Sequence, residues 1–93
     1  MPEKANMTIH IDNERVLIKE WRFQPGDETG WHHHDYDFVV LPRTNGRLQI
    51  VTKDDEGYRD IVAGSCYTRL AGTEHNVTNV SDHEVVIMDV ELK

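Results

Sequence analysis

Three consecutive histidines, His32-His33-His34, follow the turn-forming run Pro25-Gly26-Asp27-Glu28-Thr29-Gly30-Trp31 and lead into Tyr36-Asp37-Phe38-Val39-Val40-Leu41. Neutral imidazole nitrogen is a preferred donor for divalent transition metals, provided that the side chains are held rigidly. In an extended strand side chains alternate between faces, so His32 and His34 point one way and His33 the other. Two imidazoles at that spacing can bind one ion. A second segment, Gly64, Gly72-Thr73-Glu74-His75 and Asn79, lies further along the chain. If its strand lies beside the first, His75 supplies a third nitrogen. The histidine run is embedded between a turn and an apolar strand, whereas an expression tag sits at a terminus. Alone, the run also fits a solvated loop, and a lone His75 fits an ordinary surface histidine. Together the two segments are far more specific.

The elements around these segments read as short strands. Residues 14–23 are rich in β-formers, with Leu17, Trp21 and Phe23 on one face and Val16 and Ile18 on the other. Met7-Thr8-Ile9-His10-Ile11 alternates and suits an edge strand with His10 exposed. Asn45-Gly46 favours a tight hairpin turn, because both residues tolerate positive φ. Residues 47–52 then form a strand, Asp54-Asp55-Glu56-Gly57 a turn, and Tyr58 to Ala63 a strand in hairpin register with 47–52. Gly64-Ser65 breaks that strand, Cys66-Tyr67-Thr68-Arg69 resumes it, and Ala71-Gly72-Thr73 turns toward His75. Ser81-Asp82-His83-Glu84 is a polar turn that exposes His83, and Val85 to Leu92 is the final strand. No stretch carries a sustained helical period. About eight short strands with frequent turn signals predict an all-β sandwich or barrel. Residues 1–13 are an N-terminal segment or edge strand, and 14–93 a single domain.

The two segments resemble the motifs of the cupin superfamily. In the first motif Gly26, His32 and His34 fall at the family spacing and Gly46 closes the segment; in the second Gly64, Gly72, His75 and Asn79 do so, with Leu70 where proline is usual. The resemblance covers residues 14–92, and Trp21-Arg22-Phe23, Pro25-Gly26 and Thr29-Gly30-Trp31-His32 are similar to small bacterial cupins associated with β-alanine degradation. It implies a jelly-roll (double-stranded β-helix) barrel, a homodimer, and metal ligation by His32, His34 and His75. The family's acidic ligand would fall at Phe38 or Val39, both apolar. Phe38 is in phase with His32 and His34, so a ring replaces the carboxylate, whereas Asp35 and Asp37 would need a β-bulge to turn inward. The expected centre has three histidines and no acid.

Composition narrows the partners. Ten basic against seventeen acidic residues give a net charge of −7, which disfavours binding to a phosphate backbone. No apolar run of about 18 residues is present, so no membrane span is expected. Met1-Pro2-Glu3-Lys4 lacks an apolar signal core, and one cysteine, Cys66, suits a reducing compartment, so a cytoplasmic location is expected. Cys66 reads as a small apolar filler rather than a nucleophile.

Three neutral imidazoles leave a 2+ charge uncompensated and coordination positions open, which favours small anionic or enolisable oxygen ligands. The cofactor is one divalent transition metal: iron, nickel, zinc, manganese or copper. Iron would permit dioxygenase chemistry, and zinc Lewis-acid or hydrolytic chemistry. Tyr36, in phase with the histidines, is the candidate catalytic side chain or a packing aromatic. Trp31 walls the pocket or packs nearby, and Glu74 faces away. The functional readings are an enzyme acting on a small carboxylate or dicarbonyl, a non-catalytic module that senses or sequesters a small anion, and a cupin whose metal is structural. Structural sites are normally closed by protein ligands, which disfavours the third.

Overall fold

The computed structural model describes residues 3–93, in which nine strands and no helix form two facing antiparallel sheets. The strands are β1 (Asn6–Asp12), β2 (Val16–Phe23), β3 (His32–His33), β4 (Asp37–Pro42), β5 (Gly46–Val51), β6 (Glu56–Ile61), β7 (Tyr67–Arg69), β8 (Glu74–Asn79) and β9 (Val85–Leu92). The five-stranded sheet has the order β1-β2-β9-β4-β7, and the four-stranded sheet β3-β8-β5-β6. The all-β reading of the pattern is borne out. Residues 1 and 2, which open the N-terminal stretch, lie outside the described residues.

Alternation builds the interior. Across the five-stranded sheet, register aligns Leu17, Glu91, Phe38 and Arg69 in one row and Lys19, Asp89, Val40 and Tyr67 in the next. Val85, Ile87, Asp89 and Glu91 are the buried, inward residues of β9, and Phe23, Phe38 and Val40 meet them. From the facing sheet come Leu48, Ile61 and Val77. Burying each such apolar side chain contributes about 1.5–3 kcal/mol. The two sheets are not joined by backbone pairing at the β6/β7 side, where a seam remains.

Three local expectations are corrected. The histidine run and residues 36–41 do not form one strand: β3 ends at His33, and a bend at Asp35-Tyr36 passes the chain from the four-stranded to the five-stranded sheet. Asn45-Gly46 is not a tight hairpin turn, because β4 and β5 lie in different sheets and neither residue has positive φ. Gly46 is instead a packing residue, since a Cβ there would lie 2.7 Å from Val85 Cγ2 and 2.9 Å from Ser81 Oγ. The run 66–69 does not resume β6 either: β7 crosses over to pair with β4, which leaves Cys66 exposed rather than buried as filler. The β5–β6 hairpin does form, with Leu48 opposite Arg59.

Gly46→Ala is expected to lower stability by about 1–3 kcal/mol through overpacking against Val85. Gly57→Ala, where a Cβ would meet nothing within 4 Å, is expected to be neutral or slightly stabilising. Urea unfolding followed by tryptophan fluorescence compares the two variants. Identical midpoints would show that the 81–85 segment gives way freely.

Candidate metal centre

His32 and His75 are brought together by backbone pairing. The two-residue β3 pairs with β8 so that His32 is opposite His75 and His33 opposite Glu74. The preceding loop is stitched to the same strand: Thr29 N donates to Val77 O at 2.9 Å, Val77 N to Thr29 Oγ1 at 3.1 Å, and Gly30 N to Asn76 Oδ1 at 3.0 Å. His34 lies just past β3, where its N–H donates to Thr73 O (2.9 Å) and its carbonyl accepts from Gly72 N (2.8 Å). Gly72 makes that turn with φ of +89°, a left-handed conformation that suits glycine.

The three imidazoles converge through Nε2. His34 Nε2 lies 3.2 Å from His75 Nε2, which lies 3.0 Å from His32 Nε2. The opposite nitrogens are committed elsewhere: His32 Nδ1 is 2.9 Å from the Gly30 carbonyl, and His34 Nδ1 is 2.9 Å from Glu91 Oε1. Both partners only accept, so both Nδ1 atoms carry the proton and both Nε2 atoms present lone pairs. His75 can donate to one of them at most, so at least one close Nε2 contact has no hydrogen in it. A cation shared by the three lone pairs resolves this repulsion. Two nitrogens about 2.0–2.1 Å from one ion lie about 3 Å apart at ordinary coordination angles, which the His32–His75 and His34–His75 separations match, and the ligand atoms of all three lie within 4.8 Å of one another. The donor set therefore fits a divalent transition metal.

Electrostatics keep the donors neutral. Burial depresses all three imidazoles, and His75 falls to about 3, with the neighbouring His32 and His34 adding to the effect. Glu91, itself buried, also forms an ion pair with Lys19 Nζ at 3.3 Å, so the carboxylate that orients His34 is compensated by a cation. An outer carboxylate of this kind fixes the tautomer and orientation of a ligating histidine.

The remaining expectations separate cleanly. Phe38 is buried and stacks on His34 with centroids 3.8 Å apart, so a ring does stand at the expected acidic position. Among the described residues the cluster with ligand geometry is His32, His34 and His75, without a carboxylate. His33 points out and pairs with Asp35 at 3.2 Å. Tyr36 does not reach the site: it is 38 % exposed, because the bend breaks the phase that would have turned it inward. Trp31 is 52 % exposed and does not line the cavity, and Glu74 is exposed. Asn79 is a structural residue, tying the β8–β9 turn through Phe23 O, His83 O and Ser81 N.

Beside the histidines lies a cavity of about 90 Å³, walled by Trp21, Phe38, Tyr67 and aliphatic side chains, with Arg69 and Asp89 its charged residues. Asp89 accepts from Trp21 Nε1 at 3.2 Å, and the Trp21 ring stacks over His32. Sequence reasoning missed Asp89, Glu91 and Arg69. For the two acids a signal existed: both interrupt the apolar strand Val85–Leu92 on the face shared by Val85 and Ile87.

Comparison with known proteins places this geometry among relatives. The chain is 49 % identical over 90 residues to the Beta-alanine degradation protein BauB of Pseudomonas aeruginosa, covering 97 % of this chain and 95 % of that one. The crystal structure of a cupin domain from Bordetella pertussis superposes with a TM-score of 0.97 at 47 % identity, covering 100 % of this chain and 97 % of the other. A cupin superfamily protein from Desulfitobacterium hafniense shares the fold at TM-score 0.73 and 16 % identity, over 99 % of this chain and 80 % of its own. No family model matches.

Burial pushes the Asp89 carboxyl up to about 7, against partial relief from Lys19. The folded chain therefore holds a proton that the unfolded chain releases near pH 4. Its stabilising effect is complete below about pH 4 and is lost as pH rises through about 7. In metal-free protein, Asp89→Asn is expected to exceed the wild type in stability by about 2–4 kcal/mol at pH 8 and to match it at pH 4. Urea titrations at both pH values check this; a constant offset would show that Asp89 does not titrate between them.

Proposed function

The chain belongs to the family of small cupins that includes BauB, and from that premise we propose that His32, His34 and His75 hold one divalent transition metal on which a small carboxylate or dicarbonyl is processed. The observation that carries the reading is the convergence of three Nε2 atoms, two of which, on His32 and His34, present lone pairs because their Nδ1 atoms donate elsewhere. Such an ion, whether iron, nickel, zinc, manganese or copper, supplies Lewis acidity and open coordination positions, and iron adds redox chemistry toward dioxygen. The protein's share is to hold the donors neutral, to exclude bulk water with Phe38 and Trp21, and to offer in Asp89 a cavity-wall carboxyl that exchanges its proton near neutrality. That last feature favours turnover over mere binding. The β-alanine degradation in the relative's name is a metabolic setting consistent with a small carboxylate substrate.

Two further properties belong to the same proposal. The edge strand β1 exposes Met7, Ile9 and Ile11, at 45 %, 51 % and 45 %, on a strand whose outer side is unpaired, which supports a homodimer through residues 7–18. The free thiol of Cys66 and the charge of −7 support a cytoplasmic protein that binds small molecules rather than nucleic acid. Light scattering at micromolar concentration is expected to give the mass of two chains.

Elemental analysis of untagged protein is expected to find one metal per chain. His32→Ala, His34→Ala and His75→Ala should each weaken metal binding by at least about tenfold, as loss of a ligand requires. His33→Ala should leave it intact. Phe38→Glu should restore an acid beside His34 and tighten the site. The apo-protein reconstituted separately with iron(II), zinc and nickel is then offered small keto acids, β-dicarbonyls and thiol carboxylates, with oxygen uptake and substrate loss recorded. Turnover with iron alone identifies an oxygenase, and with zinc alone Lewis-acid or hydrolytic chemistry. Tight binding across the panel without loss would establish the anion-binding module instead.

A further inference from the structure

Arg59 and Arg69 stand at the unpaired seam between β6 and β7. Their guanidinium carbons lie 3.5 Å and 4.7 Å from the centroid of the Tyr67 ring. In a chain of net charge −7, neither is ion-paired among the described residues. Arg69 spends one N–H on the Thr68 carbonyl, at 2.9 Å, which leaves the rest of its fork free. Its side chain lines both the cavity beside His32 and His75 and the open groove outside it, where Arg59 also lies. The acids of that groove are engaged elsewhere: Glu56 accepts from Gln49 at 2.7 Å and Asp55 from the Glu56 N–H at 2.8 Å. A half-buried, uncompensated guanidinium on an apolar cavity favours an anionic ligand, above all one that offers two oxygens in a plane.

Resting on the metal reading above, we propose that Arg69, backed by Arg59 across the Tyr67 ring, binds the carboxylate of a short-chain acid whose far end reaches the histidine cluster. The cavity volume of about 90 Å³ admits on the order of six heavy atoms, at about 10–15 Å³ for each water-sized group. The ligand is therefore a three- or four-carbon carboxylate that carries a second oxygen or sulfur donor at the end remote from Arg69. Asp89 faces the same cavity and would repel a second carboxylate there once ionised, so the acid binds in one direction.

Isothermal titration of zinc-loaded and metal-free protein with 3-mercaptopropanoate and its neutral analogue 3-mercaptopropanamide tests the assignment. The wild type is expected to prefer the acid by about tenfold to a hundredfold, the range of a charge-assisted bidentate contact. Arg69→Gln should abolish that preference while keeping the wild-type melting temperature and zinc content. Arg69→Lys should retain part of the preference, and Arg59→Gln should reduce it less than Arg69→Gln does. Equal affinity for acid and amide in the wild type, or a preference that survives Arg69→Gln, overturns the inference even where one zinc per chain upholds the metal centre. Displacement of the acid by equimolar inorganic phosphate overturns the carboxylate assignment. Should the protein take up no zinc yet keep an Arg69-dependent preference, the metal reading falls and the arginine assignment stands.

Discussion

Everything the site can do depends on a pairing two residues long. His32 and His75 meet because β3 adds to the edge of β8 in one register, and a slip of one residue would turn every side chain of β3 to the other face. So short a strand has little intrinsic stability. Its register is set by the loop that precedes it, where Thr29, Gly30 and Asn76 exchange hydrogen bonds, and by the turn after it, where His34 is clasped by Thr73 and Gly72. The histidines are thus placed by main-chain geometry on both sides, which is how a small domain keeps the three imidazoles rigid.

Charge is managed by layers. Imidazoles stripped of water remain neutral, the Glu91 carboxylate behind His34 is neutralised by Lys19, and Asp89 is buried deeply enough to share a proton with solvent near neutrality. A buried carboxylate without such a partner would cost several kcal/mol. The two acids of β9 therefore differ in role through environment alone: Glu91 sits between Lys19 and His34, and Asp89 is pushed toward its neutral form by burial.

Much of this was legible in the sequence, because alternation and motif spacing are local. His32 on one side and His33 on the other follow from period-two reasoning within β3, Phe38 is turned to the centre as expected although the strand is broken before it, and His75 follows from the second motif. What failed was continuity. One strand from His32 to Leu41 was the simplest reading, but a barrel must pass its chain between sheets, and the bend at Asp35-Tyr36 does so at the expense of the phase that would have brought Tyr36 inward. The partners of the histidines were harder to see. His34 and Glu91 are separated by 57 positions, and no local pattern says which distant acid will lie behind which histidine. Arg69 was hidden for the same reason, since its row is completed only by pairing β7 with β4.

The position of β9 has a further bearing on how the molecule comes into being. It is the last strand in chain order, yet it lies between β2 and β4, and β1 and β7 attach only outside those two. During synthesis the histidines of β3 and β8 leave the ribosome before the strand that carries Glu91, Asp89 and the middle of the larger sheet. Until residues 85–92 emerge, β2 and β4 have no shared partner and the early segments wait as unpaired edges. Assembly is then dominated by contacts between distant parts of the chain, the slow regime of folding. The centre is thus completed late, when the strand at the heart of the sheet closes on segments made long before it.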